Sequence, residues 1–306
     1  MTDMTYAIIT PAHNEAQHLP RVIESIVGQN VLPVKWVILD DRSTDDTWRI
    51  ITTAAQQYPF IQPVQVSGES DRRLGANVVR VFNIGYALVA GKASFFVKMD
   101  GDLLLPPFYF ASLFEHFQAD PELGIASGKT YIWENQQWIL ERIPDSHAAG
   151  QCKTYRAACL QDMGGLVPIL GWDILDGVQG RRKGWKSRSF RDIPIRHLRM
   201  TGSATGMAKA NLRYGGCYYI IRAHPLFVLA KTLYRALERP YLASAAIPVG
   251  YLKAALRKEK RLEDLDLAQA LRREQVARLL GRQLSQEEWL PRPMQDNHAD
   301  KGPNLP

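Results

Sequence analysis

The chain is poor in cysteine, with three in 306 residues: Cys152, Cys159 and Cys217, none in a C-x-x-C spacing. An odd, scattered set cannot build a disulfide framework, and a thiolate metal centre is not expected; the three read as reduced, buried thiols of a cytosolic protein. Long apolar runs are lacking too. No stretch approaches the ~20 uninterrupted apolar residues of a membrane-spanning helix. The nearest, YLASAAIPVGYL at 241–252, is short and carries Pro248 and Gly250. The opening MTDMTYAIIT has neither a basic leader nor a long apolar core, so no signal peptide is expected. No internal repeat occurs, and 46% hydrophobic with 23% charged residues excludes collagen-like, mucin-like and wholly disordered classes.

What is present is an uneven charge. Thirty-eight Lys and Arg against 31 Asp and Glu leave a net +7, and residues 181–199 (RRKGWKSRSFRDIPIRHLR) hold eight of the cations and one Asp. A localised basic run points to an anionic partner: phosphate, nucleic acid or a lipid surface.

Length allows about two domains of ~150 residues. Short β-branched and aromatic runs at 6–10, 36–39, 63–66 and 94–99 read as buried strands. Apolar residues between them recur at helical spacing: Leu19, Val22, Ile23, Ile26 and Val27; Ile50, Ile51 and Ala54; Val78, Val79, Phe82, Tyr86 and Val89. Alternating strands and helices predict βαβ units and a mostly parallel sheet. YIWENQQWIL, at 131–140, reads as a hairpin.

Ligands of such sheets bind at the carboxyl ends of the strands, and the polar residues cluster there: HNE, DDRSTDD and DGD. Asp40 and Asp41 end a hydrophobic strand; one carboxylate suffices to cap the next helix, so a pair points to a ligand. Asp100 and Asp102 flank Gly101, an arrangement that can hold a hard cation while a phosphate approaches the backbone. Asp and Gly are also ordinary turn formers, and the strand context carries the metal reading. Asp173, in GWDILDG, reads either as a helix-start acid or as a general base beside Trp172.

In this order, ITPAHNEAQHLPRVIESIVGQ, VILDDRSTDDT, FNIGYALVAGKASFFVKMDGD and GWDILDGVQGRRKGWK resemble the family 2 inverting glycosyltransferases of GT-A fold, over roughly residues 5–205. The resemblance implies an α/β, Rossmann-like catalytic domain with a mostly parallel central sheet flanked by helices. It implies a UDP- or GDP-linked sugar donor, a glycan or lipid-linked acceptor in envelope or exopolysaccharide synthesis, and a divalent Mg²⁺ or Mn²⁺. Carried over residue by residue, Pro11, His13 and Glu15 would border the base and ribose, Asp40 would contact the base with Asp41 nearby, and Arg73 would lie near the nucleotide. Asp100 would meet ribose or metal through water, Asp102 would be the principal metal ligand, and His197 would complete the metal or diphosphate site. Asp173 would be the base, eleven positions before Gly184, with Asp176 as the fallback. The family's usual Glu just before the base is Trp172 here.

Two rival readings fit the sequence less well. A nucleotidyltransferase would carry a glycine-rich, basic loop after the first strand, and TPAHNEAQHLP has neither glycine nor Lys or Arg. A non-catalytic nucleotide-sugar-binding scaffold would have no need of Asp40, Asp102 and Asp173 together. The expected division is a catalytic domain over 1–223, a helical amphipathic extension over 224–290 and a disordered tail over 291–306. In the extension, Leu226, Ala230, Leu233 and Leu237 share one helix face, followed by the basic KAALRKEKR. It reads as an interfacial segment or as a helical hairpin packed on protein; the first is expected, placing the protein on the cytoplasmic face of an anionic membrane. The 181–199 run then serves diphosphate or lipid. Nucleic acid is not an expected partner, because acidic strand ends would repel a phosphate backbone.

Overall fold

The structure, a computed structural model, describes residues 4–67, 75–134, 136–141, 143–199, 206–237 and 241–289. Arg73 and the 291–306 tail lie outside the described residues.

The first hundred residues fold as their periodicity dictates: β1 (Tyr6–Ala12), α1 (Leu19–Val27), β2 (Lys35–Asp40), α2 (Thr47–Gln57), β3 (Ile61–Gln65), α3 (Ala76–Val89) and β4 (Phe95–Met99). Strand side chains alternate between faces. Tyr6, Ile8, Trp36 and Ile38 pack under α1, α2 and α4 (Tyr109–Ala119), whereas Ala7, Ile9, Val37 and Leu39 pack under α3. Burial on both faces is why these strands read as continuous apolar runs.

The central sheet runs β3-β2-β1-β4-β8-β6-β9-β5, with β7 appended to β6. Its remaining strands are β5 (Leu103–Leu104), β6 (Leu123–Glu134), β7 (Gln137–Leu140), β8 (Cys152–Arg156) and β9 (Lys186–His197). The β3-β2-β1-β4 half is parallel, as expected; β8 inserts antiparallel to both β4 and β6, and β9 returns parallel to β6. The β6–β7 pair is the hairpin expected at 131–140. All three cysteines are free and buried.

Helices α5 (Ala157–Asp162) and α6 (Trp172–Arg182) follow β8. After β9 come α7 (Gly206–Ile220), α8 (Pro225–Ala236), a 3-10 turn (Tyr241–Ala245), α9 (Ala246–Leu256), α10 (Leu265–Leu279) and α11 (Gln286–Trp289). These share a core with α6: Leu175 and Val178 pack with Cys217, Ile221, Val228, Ile247, Leu267 and Leu271.

The α7–α9 crossing leaves no room for a side chain at two glycines. A methyl group at Gly215 would lie 1.9 Å from the Ile247 carbonyl oxygen, and one at Gly250 would lie 1.9 Å from that of Leu212. At the neighbouring Gly216 the nearest atoms are 4.0 Å away. Gly215→Ala is therefore expected to destabilise the fold by about 2 kcal/mol or more through overpacking. Gly216→Ala is expected to be neutral or to stabilise by up to ~1 kcal/mol through helix propensity. Denaturant unfolding of both variants checks the opposite signs.

Candidate active site

Two loops at the carboxyl ends of β1 and β2 emerge side by side, because register places Ala12 opposite Asp40. They are sewn together. His13 Nδ1 donates to the Asp41 carbonyl at 2.7 Å, the Asn14 amide donates to Ser43 Oγ at 3.0 Å, and the Thr44 amide donates to Asn14 Oδ1 at 2.8 Å. The Glu15 amide donates to Thr47 Oγ1 at 2.8 Å. Asn14 and Arg42 adopt left-handed φ of 56° and 59° to make these turns. Pro11, next to last in β1, pairs with Leu39. Asp40 is buried and accepts from the Ser43 amide. The Asp41 carboxylate is held by Arg42, Asn77 and, at 3.7 Å, Arg80, so it organises the loop as well as facing it.

Asp100 and Asp102 follow β4, and the β5–β9 ladder brings His197 opposite Leu103. His197 Nε2 thereby lies 3.2 Å from Asp102 Oδ2, across 95 residues of sequence. Burial alone would raise the Asp102 carboxyl, but the His197 hydrogen bond and charge, helped by Arg199 and His18, hold it below its usual value. His197 shows the converse: burial lowers its pKa, and Asp102 more than restores it. Glu15 completes the acidic rim. Burial and the Asp102 charge push it up to about 7, against Arg199 Nη2, which donates to Glu15 Oε2 at 2.8 Å.

Could this rim hold a divalent cation? Among the described residues no three His, Cys, Asp or Glu side chains form a ready ligand set. Asp102 and His197 offer one hard oxygen and one imidazole nitrogen to a common point, and the crowded carboxylates of Glu15 and Asp102 leave negative charge for a cation to neutralise. That donor set suits Mn²⁺ or Mg²⁺ when phosphate oxygens and water supply the remaining ligands.

Asp173 stands in the first turn of α6 and joins this rim through Lys98. Lys98, buried inside β4, donates to the Asp100 carboxylate and to the Gly150 carbonyl. Gly150 is flush against Asp173: a methyl group there would lie 3.2 Å from Asp173 Cβ. In register with Lys98, on β8, stands Lys153. It donates to the Asp173 carbonyl at 2.6 Å and to both oxygens of Asp176 at 2.7 and 2.8 Å. The Trp172 ring lies 5.3 Å from one ammonium and 5.5 Å from the other. The carboxylate of Asp173 is half-buried and accepts no hydrogen bond from the described residues. Asp176 differs. It is fully enclosed, its carboxylate taken by Lys153, Tyr155 and the Gly177 amide, so it anchors α6 and is not open to an acceptor.

The basic run does not form one patch. Arg181 pairs with Glu274, Lys186 with Asp120 and Glu122, and these lie at the opposite end of β9 from His197. Only its far end reaches the rim, through His197 and Arg199. Sequence reasoning missed Lys98, Lys153 and Gly150. The available signal was a lysine inside each of the apolar strand segments FFVKM and CKTYR, where an ammonium must find a partner.

The profile described as glycosyl transferase family 2 matches residues 7–166. A curated relative, the uncharacterized glycosyltransferase alr2836 of Nostoc sp. (strain PCC 7120), is 30% identical over 137 residues, 44% of this chain and 40% of that protein. The chain thus matches less than half the length of that relative. Among solved structures, the fold is similar to the mannosyltransferase PcManGT from Pyrobaculum calidifontis in complex with GDP-Man and Mn²⁺, with TM-score 0.54 and 18% identity over 90% of this chain and 80% of that one. A fragment of S. aureus TarS in complex with UDP-GlcNAc gives TM-score 0.53 and 14% identity over 88% and 80%. These are GT-A glycosyltransferases, and at such identities the likeness is one of fold.

The raised Glu15 carboxyl makes the metal-free protein pH-sensitive. Between the unperturbed value of 4.5 and about 7 the folded state binds this proton more tightly than the unfolded chain, so stability falls as pH rises through that window. Glu15→Gln removes the loss. Unfolding at pH 5 and pH 8, with chelator present, is expected to show the variant gaining up to ~3 kcal/mol on the wild type at the higher pH.

Proposed function

The chain belongs to glycosyl transferase family 2, and from that premise we propose that it is an inverting, metal-dependent transferase. The donor is a UDP- or GDP-linked sugar, and the acceptor is a glycan or lipid-linked saccharide of envelope or exopolysaccharide synthesis. The observation that carries this reading is the Lys98–Trp172–Lys153 bridge, which sets Asp173 beside the Asp100–Asp102–His197 rim.

In this reading the loops after β1 and β2 receive the nucleotide: Asp40 meets the base, Pro11, His13 and Glu15 border base and ribose, and Asp41 holds the loop that shapes the pocket. Asp100 faces ribose, and the family resemblance assigns Arg73, which lies outside the described residues, to the nucleotide. Asp102 and His197 would hold a divalent cation, whose charge would offset that of the leaving diphosphate. Arg199 adds positive charge at the same rim.

Asp173 takes the proton of the acceptor hydroxyl while that oxygen attacks the anomeric carbon. The bond from that carbon to the diphosphate oxygen breaks on the opposite face, and its electron pair leaves with the diphosphate. One displacement inverts the anomeric centre, and no protein nucleophile is required.

A panel of UDP- and GDP-sugars with Mn²⁺ tests the reading. Asp173→Asn is expected to lower transfer by ~10²–10⁴-fold, the usual contribution of a general base, with donor affinity by calorimetry unchanged. Asp102→Ala is expected to abolish the Mn²⁺-dependent part of donor binding. Transfer unimpaired by Asp173→Asn would remove that residue from the mechanism, and no response to any donor would remove the transferase reading itself.

A further inference from the structure

Helix α8 is turned inside out. An amphipathic helix on a globular protein buries its apolar stripe, yet Leu226, Leu229, Leu233 and Leu237, at helical spacings of three and four, are 60%, 55%, 60% and 80% exposed. The side facing the protein carries Val228, buried, and Arg235, whose guanidinium donates to Asn211 of α7 and covers the Tyr214 ring at 4.9 Å. Helix α9 repeats the pattern. Ile247, Gly250 and Ala254 face α7, while Val249, Leu252 and Leu256 point outward and are also more than half exposed.

The segment that carries these stripes is predominantly cationic. Residues 206–261 contain eleven Lys and Arg and two Glu, a net +9. Lys253 lies beside the α9 stripe, and Arg257, Lys258, Lys260 and Arg261 follow it. None of the helices is long and apolar enough to cross a bilayer among the described residues.

We propose that the outward faces of α8 and α9 seat this protein on an anionic lipid surface, with the leucines in the headgroup–acyl boundary and the flanking cations on the lipid phosphates. Charge decides between the candidate occupants. A second copy meeting this face across a two-fold axis would bring one cationic segment against another, whereas an anionic bilayer complements both the apolar and the cationic parts. The geometry also connects the face to the candidate site. Cys217 of α7 and Ile221, just past its end, pack on Gly171, two residues before Asp173, and the opposite side of α7 meets α9 at Gly215 and Gly250. The lipid face therefore lies one helix layer from the start of α6, which carries Asp173.

Co-sedimentation of the full chain with vesicles tests this without any turnover. Phosphatidylcholine vesicles containing about one third phosphatidylglycerol are expected to bind the protein, pure phosphatidylcholine vesicles to bind it weakly, and added salt to weaken binding to the anionic ones. Leu229→Ser with Leu233→Ser is expected to reduce partitioning by at least ~10-fold while the unfolding midpoint stays unchanged, since both side chains are exposed. A charge reversal, Lys253→Glu with Lys258→Glu, is expected to abolish the preference for anionic vesicles. Equal binding by wild type and variants overturns the proposal. So does a wild-type dimer that the leucine substitutions dissociate without changing lipid binding, an outcome that assigns the face to a second copy. The readout is separate from the transferase reading: vesicle binding with no sugar transfer leaves the face in place and removes only the activity.

Discussion

Two lysines buried in the middle of the sheet hold the candidate site in shape. An ammonium taken out of water costs several kcal/mol unless it is paired and fully hydrogen-bonded, and removing one partner of such a pair costs about 3–5 kcal/mol. Lys98 and Lys153 stand in register on β4 and β8 and share the face of one indole. Like charges at this separation repel, so each must be met by its own acceptors: Asp100 and the Gly150 carbonyl for Lys98, Asp176 and the Asp173 carbonyl for Lys153. Satisfying both therefore fixes the start of α6 against the end of β4. Trp172 supplies a π face to both cations.

The antiparallel insertion of β8 makes this possible. A continuous parallel sheet would have placed the strand after β4 in the same direction, with its carboxyl end at the acidic rim. Strand β8 instead begins at that rim, so Gly150 and Gln151, immediately before it, are delivered to the site: Lys98 binds the Gly150 carbonyl, and the Asp100 amide donates to Gln151. The return of β9 parallel to β6 then carries His197 to the rim while leaving Arg181 and Lys186 at the far end. Topology thus divides a basic run that is contiguous in sequence between a structural role in ion pairs and a role at the site.

Much of this was legible in the residues. The β1-to-β4 half follows from period and turn chemistry, because β1, β2 and β4 are buried on both faces and each helix shows its apolar spacing. The acids after β2 and β4 were legible for the same reason: polar residues at the carboxyl ends of apolar strands have few other uses. What the sequence withheld were relations between distant residues. Nothing local says that Lys98 will face Lys153, that Asp102 will meet His197 or that Gly150 will abut Asp173, since each depends on strand order. The distinction between Asp173 and Asp176 was likewise invisible: three residues apart on one helix, they differ only in that one turns toward Lys153 and Tyr155.

Helix α8 shows a different limit. Its leucine spacing was plain in sequence, but period reports that a stripe exists, not which way it points. The direction is set by what lies behind the helix. Asn211 and Tyr214 on α7 offer Arg235 a hydrogen bond and a ring, and that polar attachment needs the cationic side of α8 to face inward. The same α7 must press α9 close enough for Gly215 and Gly250 to meet backbone, which gives a thin layer with little room for a second apolar core. The leucines are left outside because the layer beneath them is already filled, and the helix that fills it is the one packed on the loop before Asp173. The surface exposed to solvent and the residue proposed to take the acceptor's proton are thus two faces of one packing arrangement.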